Sequence, residues 1–229
     1  GGDMTFEATE NHVSYSHATE WYYGAPGVIA VSTMNGTMDF ALMDNTFERL
    51  WTAAGIAWAL DLEGGDHSFE VTGNVFNKVV YGVYTSVIGI SDLPEEVAES
   101  TLSVMSNFAD NIMTDAYGLG NNVLLLNPGA INWTVSVEQS FTNNVMEQVR
   151  YEGEYPFDQY DYGSYNPAMI DAGLYVFGWS DVSTVISVDQ TVIITGNQLM
   201  QAVDSHEGIS VYNVVQNNMG ETINTLSCD

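Results

Sequence analysis

A chain of 229 residues with 30 Asp and Glu against 3 Lys and Arg carries a formal charge of −27. Its three scattered cations, Arg49, Lys78 and Arg150, cannot form the basic patch that phosphate contacts require, which excludes nucleic acid and anionic bilayer surfaces as partners. Hydrophobic residues at 45 % and aromatic residues at 12 % are enough for a sizeable core and argue against disorder.

Charged residues make up only 14 % of the chain, below the usual ~25 %, so lysine is depleted more than acid is added. Asn, Thr, Ser and Gln occupy the positions where a mesophilic surface carries lysine. Such a particle repels itself in dilute buffer, and molar salt, with a Debye length of about 3 Å, removes most of that repulsion. A protein built for molar salt is the expectation. An acidic secreted protein, or one working at low pH, is the alternative. No apolar run approaches the ~18 residues of a membrane-spanning helix, and the most apolar stretches, Ala53 to Leu60 and Val123 to Leu126, are of core length. Gly1 suits either removal of an initiator Met or a processed end.

Period-2 patterns dominate the chain and predict strands. Gly27 to Met34 and Thr37 to Met43 are joined by Asn35-Gly36, which predicts a hairpin. Thr46 to Ala54 places Phe47, Leu50, Trp51 and Ala54 on one side of a short helix. Ser68 to Phe76 and Lys78 to Ile90 are two further strands, with Gly73-Asn74 marking a bulge or turn. The segment 92–115 breaks the pattern and predicts an amphipathic helix. Asp92 with Glu95 forms a capping-box-like start, and Leu93, Val97, Val104, Met105, Phe108 and Ile112 follow helical spacing. Strands resume at Ile131 to Glu138, Val145 to Tyr151, Ala172 to Trp179, Val182 to Val188, Thr191 to Thr195 and Ile209 to Val215. No internal repeat or linker is evident. The fold class expected is mainly β: a β-sandwich or jelly-roll barrel with one helix, as a single domain over 1–229 or as two stacked barrels.

One segment is biased. Tyr151 to Tyr165 holds five tyrosines (Tyr151, Tyr155, Tyr160, Tyr162 and Tyr165) among four carboxylates. Tyrosine supplies contact area with a polar handle, so this segment is a candidate interface, with a self-packed surface loop as the alternative. The single cysteine, Cys228, has no intramolecular partner. It is either an idle thiol in a dispensable tail or a candidate intermolecular bridge.

Chemistry-bearing motifs are absent. Asp61 to His67 clusters carboxylates on a glycine turn without EF-hand spacing. His12, His17 and Glu20 lack a common zinc spacing. Gly178 to Val182 lacks the second Gly of a nucleophile elbow, and Gly118 to Val123 lacks the last Gly of a dinucleotide loop. The sequons at Asn35 and Asn132 fall in strand or hairpin positions. No catalytic residue, cofactor or metal is expected, and the protein is expected not to be an enzyme.

In size, acidity, β content and lack of catalytic motifs, the whole chain resembles the larger major capsid protein of icosahedral haloarchaeal viruses with an internal membrane. That resemblance implies an upright single jelly roll with extra β structure. It implies a capsid subunit in the virion, assembled in host cytoplasm with copies of itself and a second structural protein, and surrounded non-specifically by salt cations. A helix beside a β-sandwich also fits a tail-tube subunit. A secreted halophilic enzyme or surface-binding module is the third class.

Overall fold

The computed structural model describes residues 2–16, 28–31, 36–61, 64–90, 96–116, 118–148, 169–179, 181–201 and 208–229. They form seventeen strands: β1 Met4–Thr9, β2 His12–Ser16, β3 Val28–Val31, β4 Met38–Met43, β5 Thr46–Asp61, β6 Gly65–Thr72, β7 Val75–Ile90, β8 Ala98–Ala109, β9 Ile112–Ala116, β10 Leu119–Asn127, β11 Ile131–Thr142, β12 Val145–Gln148, β13 Ile170–Gly178, β14 Val185–Thr195, β15 Gln198–Gln201, β16 Ile209–Asn217 and β17 Glu221–Cys228. One sheet runs β1-β4-β6-β8-β11-β14-β17. The second collects the strands that lie between these in sequence, with β5 and β7 followed by the pairs β9/β10, β12/β13 and β15/β16.

Every pairing among the described residues is parallel, and each strand lies on its counterpart from the next stretch of chain. The chain therefore winds as a coil, one strand of the first sheet and one passage through the second per turn. Mainly β is as expected. The jelly-roll or sandwich expectation is corrected, because those folds pair their strands antiparallel. Both sheets run from the first described coil to the last.

A hidden repeat makes the coil close. Six times a strand of the first sheet ends in a left-handed residue followed by asparagine: Glu10-Asn11, Asp44-Asn45, Gly73-Asn74, Asp110-Asn111, Asn143-Asn144 and Gly196-Asn197. The first member of each has φ between 55° and 71°, a region where Gly, Asn and Asp are the least strained. At Gly73 a Cβ would run into the Asp44 carboxylate of the coil before. Three residues before each Asn and two after it stand apolar side chains, such as Leu42 and Phe47 around Asn45 or Phe108 and Met113 around Asn111. They face inward on either side of the corner.

The two predicted helices are strands. In β8, Leu102, Val104, Ser106 and Phe108 point inward, while Met105 stands out at 57 % exposure. Polar Ser106 masks the period of 2. The left-handed corner at Asp110 then resets the phase, so that Ile112 falls by chance on a helical spacing. Residues 91–95, with the supposed cap, lie outside the described residues. Thr46 to Ala54 opens β5, where Phe47 and Leu50 are buried and Arg49, with φ of 56°, makes a second corner. Lys78 repeats that corner one coil on, and the register shifts between Leu50 and Ala53 beside it. The predicted hairpin around Asn35-Gly36 is also corrected: β3 and β4 belong to different sheets, and β4 pairs in parallel with β1 and β6. The break expected at Asp189-Gln190 lies inside β14.

The core is stacked coil on coil. Phe6, Phe40 and Phe69 form one column, with ring centroids 5.4 and 6.5 Å apart. Phe47 lies on Phe76 at 5.4 Å, and Phe108 on Phe141 at 4.9 Å. Among the described residues Trp133 is the largest fully buried side chain. Parallel in-register stacking places like residues above one another, so each aromatic ring buries its faces against its counterparts.

Candidate functional surface

Among the described residues, two hydrogen-bonded networks in the interior are built mainly of amides. At the corner, the six asparagines form a ladder. Asn45 Oδ1 accepts from Asn11 N–H (2.9 Å), and Asn74, Asn111, Asn144 and Asn197 do the same for the coil before each, at 2.9 to 3.1 Å. The Nδ2 of Asn45, Asn74, Asn111 and Asn144 also donates to the next Oδ1 and to a carbonyl of the preceding coil, such as Asn111 to Val71 O at 2.8 Å. The ladder thus pairs backbone groups that the sheets leave over at the turn, which is what burial demands. A second seam crosses the core. Asn121 Nδ2 donates to Thr85 Oγ1 (2.7 Å), and Gln139 Nε2 to Asn121 Oδ1 (2.9 Å). Gln190 donates to Gln139, Asn213 to Gln190 and Asn224 to Asn213, at 2.9, 2.9 and 2.6 Å. Carboxamides and aliphatic hydroxyls do not ionise near neutral pH, so this network specifies packing and not acid–base chemistry.

The outside divides into contrasting faces. The first sheet turns outward a lawn of Ser, Thr, Asn and carboxylate side chains: Asp66, Ser103, Ser136 and Asp189 share one row, and Asp39, Ser68, Met105, Glu138 and Thr191 another. Nowhere among the strand pairings of the described residues do two carboxylates face each other. Direct like-charge pairs across a sheet are destabilising. Asp39 accepts from Ser68 Oγ at 2.6 Å, and Glu70 from Asn107 Nδ2 at 3.0 Å, so hydroxyl and amide neighbours take the place of cations. At the N-terminal coil, the backbone N–H of Thr37 holds the Asp3 carboxyl below its usual range.

The second half of the other sheet is different. Ile88, Leu124, Tyr175 and Val214 form one outward row, and Ile90, Leu126, Phe177 and Gln216 the next. The adjoining row, Trp58, Ser86, Asn122, Gly173 and Tyr212, carries no charge either. These side chains are half-buried or exposed, with Trp58 at 47 % and Tyr212 at 42 %. Tyr175 and Tyr212 stack across strands at 5.9 Å.

Of the residues singled out in the sequence, Tyr151, Tyr155, Tyr160, Tyr162 and Tyr165 lie outside the described residues, as do His17, Glu20 and Glu63. Cys228 is a free, exposed thiol on β17, opposite Val192 of β14. The stretch Glu221–Cys228 is no tail beyond the fold, since it pairs with β14 along its whole length. His12 lies 3.8 Å from Glu48 on the surface, whereas His67 is buried in the core. Among the described residues no three His, Cys, Asp or Glu side chains converge as metal ligands would. No protein-family profile, characterised protein or solved structure matches this chain.

Proposed function

We propose that this chain is a structural building block of a virion or surface assembly that works in molar salt, and that it catalyses no reaction. The observation that carries this reading is the surface. Thirty carboxylates are accommodated with almost no cations, and described strands keep them from facing one another across a pairing. The interior amides supply rigidity and no proton-transfer groups. A parallel coil satisfies its backbone internally and lengthens by repetition, so it acts as a stiff spacer along its axis. Among virion roles this favours a projecting or tail component over a shell tile, since the shell reading drew on a jelly-roll barrel.

Negative-stain microscopy of the purified protein in molar KCl tests the proposal. Discrete multi-subunit particles or fibres are expected. Dispersed monomers that hydrolyse a polysaccharide or peptide substrate would overturn it in favour of a secreted halophilic enzyme.

A further inference from the structure

We propose that two copies of this chain pack against each other through the outer face of β7, β10, β13 and β16, an inference that rests on the structural reading above. On this face the rows through Leu124 and Leu126 hold neither a carboxylate nor a cation. The first sheet, by contrast, turns Asp39, Asp66, Glu70, Glu138 and Asp189 to solvent. Two copies of charge −27 repel least where the facing surfaces carry no charge, and these rows are such a surface.

The chemistry also identifies the occupant. Ile88 lies beside Leu124 and Ile90 beside Leu126, with Tyr175 and Phe177 next in line, so the rows through Leu124 and Leu126 are mostly aliphatic. Sugars are bound by isolated aromatic platforms ringed with hydrogen-bonding groups. Aliphatic rows on a sheet instead match a second apolar sheet face, packed at about 10 Å. A second copy supplies an identical face, and a two-fold arrangement makes the contact self-complementary. Four strands about 4.8 Å apart and three rows about 7 Å apart give a patch roughly 15 Å on a side. That is below the ~800 Å² per partner of a standard stable interface, so association is weak and concentration-dependent. It also strengthens with salt as the carboxylates around the patch are screened.

Sedimentation velocity in molar KCl, over a range of concentrations into the hundreds of micromolar, tests the proposal. The wild-type protein is expected to show a dimer that forms with rising concentration, as the first association step beneath the larger particles. Leu124→Glu with Val214→Glu is expected to weaken it by about tenfold or more while circular dichroism and the thermal melt stay native. Thr134→Glu, on the polar face between Thr101 and Ser187, is expected to leave it unchanged. If the double variant does not fold, Tyr212→Ser, at a 42 % exposed position, takes its place, with weakened dimers at a native melt expected. A wild-type protein that stays monomeric throughout, or dimers indifferent to these substitutions, would overturn the proposal. So would a monomer retained by a soluble polysaccharide in a Tyr212-dependent way, which would assign the face to carbohydrate. Large particles by microscopy that persist in the face variants would reject this face alone and leave the structural role standing.

Discussion

Replacing Asn111 by alanine is expected to remove a large part of the stability of the fold. Asn111 Oδ1 accepts from Asn74 N–H at 3.1 Å and Asn74 Nδ2 at 3.1 Å, and its own Nδ2 serves Val71 O and Asn144 Oδ1. The residue is fully buried, so alanine strands at least one backbone N–H and one carbonyl out of reach of water. At about 1–3 kcal/mol per unsatisfied group, the loss is of order 2–6 kcal/mol against a whole margin of about 5–15 kcal/mol. Asn11→Ala, at the exposed first rung, is expected to cost well under half as much. Urea or thermal unfolding of the two variants in molar KCl checks the contrast. Equal, small losses would mean that the ladder is incidental to the fold.

The second large effect is that of salt. Thermal stability is expected to rise steeply from low to molar KCl, because −27 is spread over a surface with almost no compensating cation. Charge repulsion summed over that surface is worth a few kcal/mol, comparable to the stability margin itself. The carboxylates of the first sheet are separated row by row by Ser, Thr and Asn, so the repulsion is long-range and open to screening. A midpoint flat across the salt range would contradict a halophilic surface. The same gain on acidification at low salt would point instead to a protein adapted to low pH.

How much of this was legible in the sequence depended on the kind of signal. Strands such as Ile131–Thr142 announced themselves, because Ile131, Trp133, Val135 and Val137 alternate with polar residues. Their parallel arrangement did not, since alternation is the same for either direction of pairing. The one sequence mark of the coil was the Asn after a left-handed residue. It was hidden because its intervals are uneven: 34, 29, 37, 33 and 53 residues. The stretches of chain between the stacked strands differ in length, so the Asn recurs without a fixed period. Gly73-Asn74 was recognisable as a bulge or turn, but Asp110-Asn111 was absorbed into a helical spacing. The apolar outer face was obscured for a related reason. In Val123–Leu126 and Leu174–Phe177 both faces of the strand are apolar, so the runs read as fully buried core. Only the register, which lines up Ile88, Leu124, Tyr175 and Val214 on the outer side, separates the two faces.

Disulfide trapping bears most directly on the central claim, that successive stretches of this sequence stack as parallel, in-register coils. In a Cys228→Ser background, Ser103→Cys with Ser136→Cys places two thiols at directly paired positions of β8 and β11. Their Cα atoms are one strand spacing apart, about 4.8 Å, within disulfide reach. Asp66→Cys with Ser136→Cys places them in the same row two spacings apart, about 10 Å, beyond it. The coil requires rapid cross-linking of the first pair under mild oxidation, with a native melt, and none of the second. Failure of the first pair, or trapping of the second, would contradict it.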